Sequence, residues 1–277
     1  MTTQSRSVTG VIRTGRSPRS HFMSTPLARI LLAVWLPVVL LVVWWFASAK
    51  STVPQFPPLQ MILQGVWEQW VLGGAWVNIL SSGWRLLVGY ALGCLIGVVA
   101  GSLLWRFVGL RRTTNPIVYF LYVLPAPALL PALIALFGIG PARQIALIAF
   151  GALWPTLLNT LDGMRGIDAV KFDTAKALRL GGWRTYRRVV LPAAMPQIFA
   201  GLRGSLTVSI ILMVVSEMVA SNSGIGYYIL QAQAAFATRN VWAGIIVLAL
   251  LGLVLNGLFV LVERGVLRWY YRSRAAR

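Results

Sequence analysis

The chain has 277 residues, 58% hydrophobic and 11% charged, with 25 Lys+Arg against 6 Asp+Glu and a mean hydropathy of +0.75. A soluble domain usually carries about a quarter charged residues, so this composition excludes an ordinary water-soluble globule. A net charge of +19 would suggest nucleic acid in a soluble protein, but here the basic residues sit between apolar blocks and read as topology signals.

Residues 1–28 are rich in Ser, Thr, Gly and Arg, without periodicity, and read as a mobile basic tail in which Met23 is a second candidate start. The block 29–49 is the first predicted span. Ala47-Ser48-Ala49 resembles a signal-peptidase site, but the block is too long for a signal h-region of about 7–15 residues. Residues 50–75 read as a loop with three prolines and a short interfacial helix, Met61 to Trp67, with Trp67 and Trp70 at headgroup level. The second block, Trp76 to Trp105, carries Gly89, Gly93, Gly97 and Gly101 on one helical face, a small-residue seam suited to close packing within the bundle or in a dimer.

The third block, Pro116 to Phe137, holds Pro125, Pro127 and Pro131, which implies a kinked or broken helix. Gly138-Ile139-Gly140-Pro141 makes the turn into a fourth block that runs to Leu161. A polar, basic stretch, 162–195, follows, then a fifth block, Pro196 to Val219. A turn-rich loop and a second amphipathic stretch lead to the sixth block, Val241 to Val262, and 267–277 is a basic tail.

Twenty basic residues fall in the tails and the loops after blocks two and four. Three (Lys50, Arg143, Arg239) fall in the alternate loops. By the positive-inside rule this predicts six spans with both termini cytoplasmic. The fold class is therefore all-α: an integral membrane six-helix bundle with a short cytoplasmic helix pair between spans four and five.

That helix pair is the most informative segment. Asp168 is a good N-cap, and Ile167 with Phe172 has the spacing of a hydrophobic staple. A helix is predicted from Ala169 to Leu180, with Phe172, Ala175 and Leu178 on one stripe. Gly181-Gly182 is expected to break it, and a second helix, Trp183 to Val190, to end against Leu191-Pro192. A solvated loop is the plain alternative. However, a capped helical segment exposing Phe172, Trp183 and Tyr186 amid charges has the composition of a protein–protein contact.

Here the chain resembles a known family, the integral-membrane subunits of binding-protein-dependent ABC importers. Their cytoplasmic signature is Glu-Ala-Ala, three residues, Gly, nine residues, Ile-x-Leu-Pro. This chain has Asp173-Thr174-Ala175, then Arg179 in the glycine position, then Val189-Val190-Leu191-Pro192. It departs by Asp for Glu, Thr for Ala and Arg for Gly, and the Gly181-Gly182 pair is expected to take over the turn. Phe137-Gly138-Ile139-Gly140, Leu158 to Gly163, Ser216-Glu217-Met218 and Gly224-Ile225-Gly226-Tyr227 resemble the branch importing nitrate, taurine and aliphatic sulfonates.

The resemblance implies a permease core over 76–266 in a bacterial inner membrane, joined to a second permease copy, two ATPase subunits and an extracytoplasmic solute-binding protein. Phe172, Asp173, Thr174, Ala175, Arg179, Gly181, Gly182, Trp183, Leu191 and Pro192 would then form the ATPase-coupling element. ATP would act through the partner, with no cofactor bound directly.

The residues agree that this chain is not itself an enzyme. None of the three lysines follows a glycine, so no G-x-x-x-x-G-K-[ST] loop exists. One cysteine (Cys94) and one histidine (His21) leave nothing from which to build a Cys-His dyad, a histidine triad or a zinc site. Membrane lipid rather than nucleic acid accounts for the basic tails.

Ionisable groups inside spans are functional suspects, so Arg85, Arg203 and Glu217, with Asn159, are candidates for a substrate path. Arg85 could instead snorkel, Glu217 brace the outer loop and Asn159 bond within the bundle. The competing function is a stand-alone secondary carrier or channel, which would call for intramembrane proton relays or inverted repeats.

Overall fold

The computed structural model describes residues 26–51, 53 and 55–275, all helix, turn or loop. Residues 1–25, including His21, Met23 and four of the tail arginines, lie outside the described residues. The chain divides into two units at Ser51. The first contributes α1 (Pro26–Ser48), whose described side chains from Trp35 to Ala47 are apolar and nearly all exposed.

The second unit holds α2 (Leu59–Val66), extended by a π-helical turn to Leu72, then α3 (Trp76–Arg106) and α4 (Val108–Val123). A 3-10 turn (Ala126–Leu129) leads to α5 (Leu130–Phe137), followed by α6 (Pro141–Arg165) and α7 (Ala169–Ala177). Next come α8 (Gly182–Thr185), a π-helical turn (Tyr186–Val190) and α9 (Leu191–Met218). The chain continues with α10 (Ile225–Ala234), α11 (Thr238–Val266) and α12 (Arg268–Ala275).

Among the described residues, four helical stretches are long and apolar enough to cross a membrane: α3, α6, Gly182–Met218 and α11. The pair Val108–Val123 and Ala126–Phe137 forms a fifth when read as one span, bent by 91°. The break falls at the proline cluster. Pro125 is extended, with ψ of 106°, and Pro127 and Pro131 lie in the opening turns that follow, where a missing N–H costs little.

The glycine seam sets the direction of the chain. A Cβ on Gly93 would stand 2.4 Å from the Ala149 carbonyl, on Gly97 2.7 Å from that of Leu153, and on Gly101 2.8 Å from that of Leu157. Numbers rise together on both helices, so α3 and α6 run parallel at backbone contact, and the seam serves packing inside this bundle. Two parallel neighbours need a return passage between them, and the broken α4–α5 pair supplies it. Val118 packs beside Leu104 and Leu161, whereas Leu130 packs beside Leu86 and Met213. In α9, Gly201 meets Asn159 and Gln197 meets Gly163, so α9 is antiparallel to α6.

Several expectations shift. Trp70 is not at a headgroup surface: it is buried against Ile225, Ile229 and Val247, edge-on to Tyr228 at 4.7 Å, while Trp67 stays exposed. The turn after α3 is the single residue Phe107, so Arg111 and Arg112 are helical. No separate second coupling helix ends at Pro192. Helix runs unbroken from Gly182 through Met218, with a π-helical turn closed by the Leu191 amide donating to the Tyr186 carbonyl directly before Pro192, which sits in the opening turn of α9.

Candidate functional site

Two clusters of polar residues sit at opposite ends of the α3–α6–α9 core. At one end, α7 stands apart from the spans. Asp168 Oδ1 accepts from the Val170 amide at 3.0 Å, the predicted cap. Ala175 is buried and Phe172 half-buried, whereas Leu178, expected on the same stripe, is 67% exposed. Phe172 is drawn inward by a 6.4 Å stacked contact with Trp105, so it anchors α7 rather than projecting from it. Tyr186 also faces Trp105 and donates to Ser102 Oγ at 3.1 Å. Val170, Leu178 and Trp183 remain as exposed apolar residues, beside the exposed Asp173–Lys176 pair at 3.0 Å.

The turn after α7 is at Arg179, not at the glycine pair. Arg179 has φ +51°, while Gly181 has φ −65° and ψ 157° and Gly182 opens α8. The Arg179 amide donates to the Lys176 carbonyl at 2.8 Å and the Leu180 amide to the Ala175 carbonyl at 3.0 Å, closing the helix. The position where the family signature has glycine therefore keeps a glycine-like backbone despite carrying arginine.

At the other end, Arg85 of α3 and Glu217 of α9 approach to 3.7 Å, both buried. Ser82 Oγ donates to the Glu217 carboxylate, with oxygens at 2.7 and 2.9 Å, and accepts from the Ile225 amide at 2.9 Å. The Gly226 amide donates to Glu217 Oε2 at 3.0 Å, and Asn78 Oδ1 accepts from the Gly224 amide at 2.9 Å. Arg85 also donates to the Ser223 carbonyl (3.1 Å) and hydroxyl (2.7 Å). Glu217 thus ties α3, α9 and the start of α10 together.

Arg143 is the residue that sequence reasoning missed. Counted as a loop residue, it is fully buried near the start of α6 and donates to the Ala220 carbonyl at 2.9 Å and, weakly, to that of Ser216 at 3.4 Å. The available signal was its place two residues after Pro141, a residue favoured in the opening turn of a helix.

Of the path candidates, Arg85 and Glu217 are therefore bound to each other, which a reading limited to single spans could not find. Arg203 lies apart from them and exposed on α9. Asn159 donates to the Pro155 carbonyl at 2.8 Å and accepts from Gln197 Nε2 at 2.8 Å.

A bundle of apolar spans, one broken at prolines, with a capped helix held off one end and a buried polar clasp at the other, has the architecture of a membrane transport permease. Residues 89–268 match the family model "Binding-protein-dependent transport system inner membrane component", and the chain belongs to that family.

It is 32% identical over 245 residues (84% of this chain, 86% of the relative) to a Bacillus subtilis protein named aliphatic sulfonates transport permease protein SsuC. It is 28% identical over 253 residues (88% and 92%) to the taurine transport system permease protein TauC of Escherichia coli. The nitrate import permease protein NrtB of Leptolyngbya laminosa is 32% identical over 185 residues (67% and 66%). The fold is similar to a chain in an inward-facing structure of the MetNI methionine ABC transporter, with TM-score 0.60 and 20% identity, covering 72% of this chain and 97% of that one.

Proposed function

We propose that the chain is the permease subunit of an ATP-driven, binding-protein-dependent importer of a small anion of the sulfonate, taurine or nitrate type. Two copies would frame the path, each with α7 seated in a separate ATPase subunit that binds and hydrolyses ATP, and a solute-binding protein would deliver the anion at the Glu217 end. With α1 added to the five passages of the second unit, the chain would cross the inner membrane six times, both termini cytoplasmic.

The observation that carries this reading is the exposed apolar surface of α7 and α8. Val170, Leu178 and Trp183 protrude outside the spans beside Asp173 and Lys176, where burial against another protein removes them from water. Thr174 and Ala175 hold α7 together, the first by donating to the Val170 carbonyl at 2.8 Å and the second by packing inward.

The path reading rests on α9, where Gln197, Arg203, Gly204 and Thr207 are all exposed. A charged side chain facing hydrocarbon is costly, so this stripe fits a watered passage between two copies. Arg203 is the residue we place against the passing anion.

Cross-linking tests the assignment. Cys94 is the only cysteine and is buried, so Leu178→Cys adds a single reactive thiol. It should link to the co-purified ATPase subunit, whereas a cysteine at Ser81, near the other end of the same bundle, should not. Linking by neither variant, or by both alike, contradicts the assignment.

A further inference from the structure

Between the last turns of α3 and the α7–α8 segment lies a cavity of about 840 Å³ that shares Phe172, Gly182 and Trp183 with the proposed coupling element. Its walls are apolar: Val98, Val99, Leu103 and Trp105 from α3, with Phe172 and Val190 opposite. The hydroxyls in the wall are already engaged. Ser102 Oγ donates to the Val98 carbonyl at 2.7 Å, Tyr186 Oη to Ser102 Oγ, and Thr185 Oγ1 to the Leu180 carbonyl at 3.3 Å. The cavity is therefore mainly an apolar slot along the final turns of α3.

The rim is strongly basic. Arg106 closes the α3 side. Trp183, stacked on Tyr186 at 5.5 Å, separates the slot from a second hollow of about 420 Å³ lined by Arg184, Arg187 and Arg188. These three lie at i, i+3 and i+4 and so crowd like charge on one helical face. None of the four arginines has a carboxylate at ion-pair distance among the described residues.

We propose that this is a binding site for one acidic phospholipid, its acyl chain in the slot and its phosphate on Arg184, Arg187 and Arg188, with Arg106 beside it. Two observations select that occupant. The slot is apolar and follows the last turns of a membrane span, and the adjoining charge is of the sign that an anionic leaflet attracts. Because the site packs on Phe172 and Tyr186, a seated lipid would brace the platform that carries α7.

The test is made on the full-length chain in non-ionic detergent, by native mass spectrometry with dioleoyl phosphatidylglycerol, dioleoyl phosphatidylcholine or inorganic phosphate. One phosphatidylglycerol per chain should be retained in preference to phosphatidylcholine by about tenfold. The triple variant Arg184→Gln, Arg187→Gln, Arg188→Gln should lose that preference with its unfolding midpoint unchanged. Val99→Phe and, separately, Leu103→Phe should fill the slot and weaken both lipids.

Equal retention of the two lipids, a preference that survives the triple variant, or full competition by inorganic phosphate would each overturn the proposal. So would an ATPase subunit that expels the lipid one for one, which would make the slot a protein dock. No transport or ATP hydrolysis is read, so failure here is distinct from failure of the importer assignment.

Discussion

The carboxylate of Glu217 occupies the space that a side chain at Gly224 would need: a Cβ there would lie 2.3 Å from the Glu217 Cδ and within 2.5 Å of both oxygens. Gly224 also has φ +118°, a conformation that L side chains rarely adopt. Two short motifs separated in sequence, Ser216-Glu217-Met218 and Gly224-Ile225-Gly226, are thus halves of one clasp.

Gly224→Ala should therefore destabilise the chain by roughly 3 kcal/mol, combining backbone strain with the clash. Thermal unfolding of the detergent-solubilised protein measures it. Gly83→Ala, at a helical glycine with open space around it, should be neutral or slightly stabilising, since alanine is the better helix former.

Glu217→Gln keeps the shape but leaves the Arg85 guanidinium buried without its counter-charge, at a cost of roughly 3–5 kcal/mol. Arg85→Met added to Glu217→Gln should cost less than the sum of the two single changes, the signature of direct coupling. Strict additivity in a double-mutant cycle of unfolding free energies would show that the pair does not interact.

Arg179→Gly should leave folding intact or stabilise it by up to about 1 kcal/mol, because arginine at φ +51° carries a left-handed penalty that glycine escapes. Gly182→Ala should be mild, as its backbone is helical with open space around it. The reverse ranking would move the turn back to the glycine pair.

Gly93→Ala should be the most damaging change in the α3 seam, its added carbon meeting the Ala149 carbonyl at 2.4 Å. A loss of about 1–3 kcal/mol is expected from overpacking, with no change in oligomeric state, since the seam faces α6 of the same chain. A dimer that dissociates on this substitution would argue for an intermolecular seam.

Much of the architecture is legible because each span is a long apolar run with its own stop signals, and the break in the third block is written in Pro125, Pro127 and Pro131. The cap at Asp168 is equally local. What could not be read is pairing between distant segments. Arg85 and Glu217 look like two separate intramembrane charges until α3 and α9 are brought together, and Arg143 looks like a loop residue until Ala220 is seen to accept from it.

The turn misled for a different reason. Residue preference points to Gly181-Gly182, but the hydrogen bonds that close α7 need the left-handed residue two positions after its last helical one, and that is Arg179. Phe172 looks exposed in the sequence because its partner, Trp105, comes from a span 67 residues earlier in the chain.

The account as a whole depends on α7 transmitting the work of a separate ATPase. The most direct measurement is uptake of radiolabelled taurine, a sulfonate or nitrate into proteoliposomes carrying this chain, its ATPase subunit and its solute-binding protein, with ATP supplied on the α7 side. Accumulation should require all three components, and Asp173→Ala should abolish it while the chain stays in the membrane. Accumulation against a gradient by this chain alone, or undiminished uptake by the Asp173 variant, would contradict it.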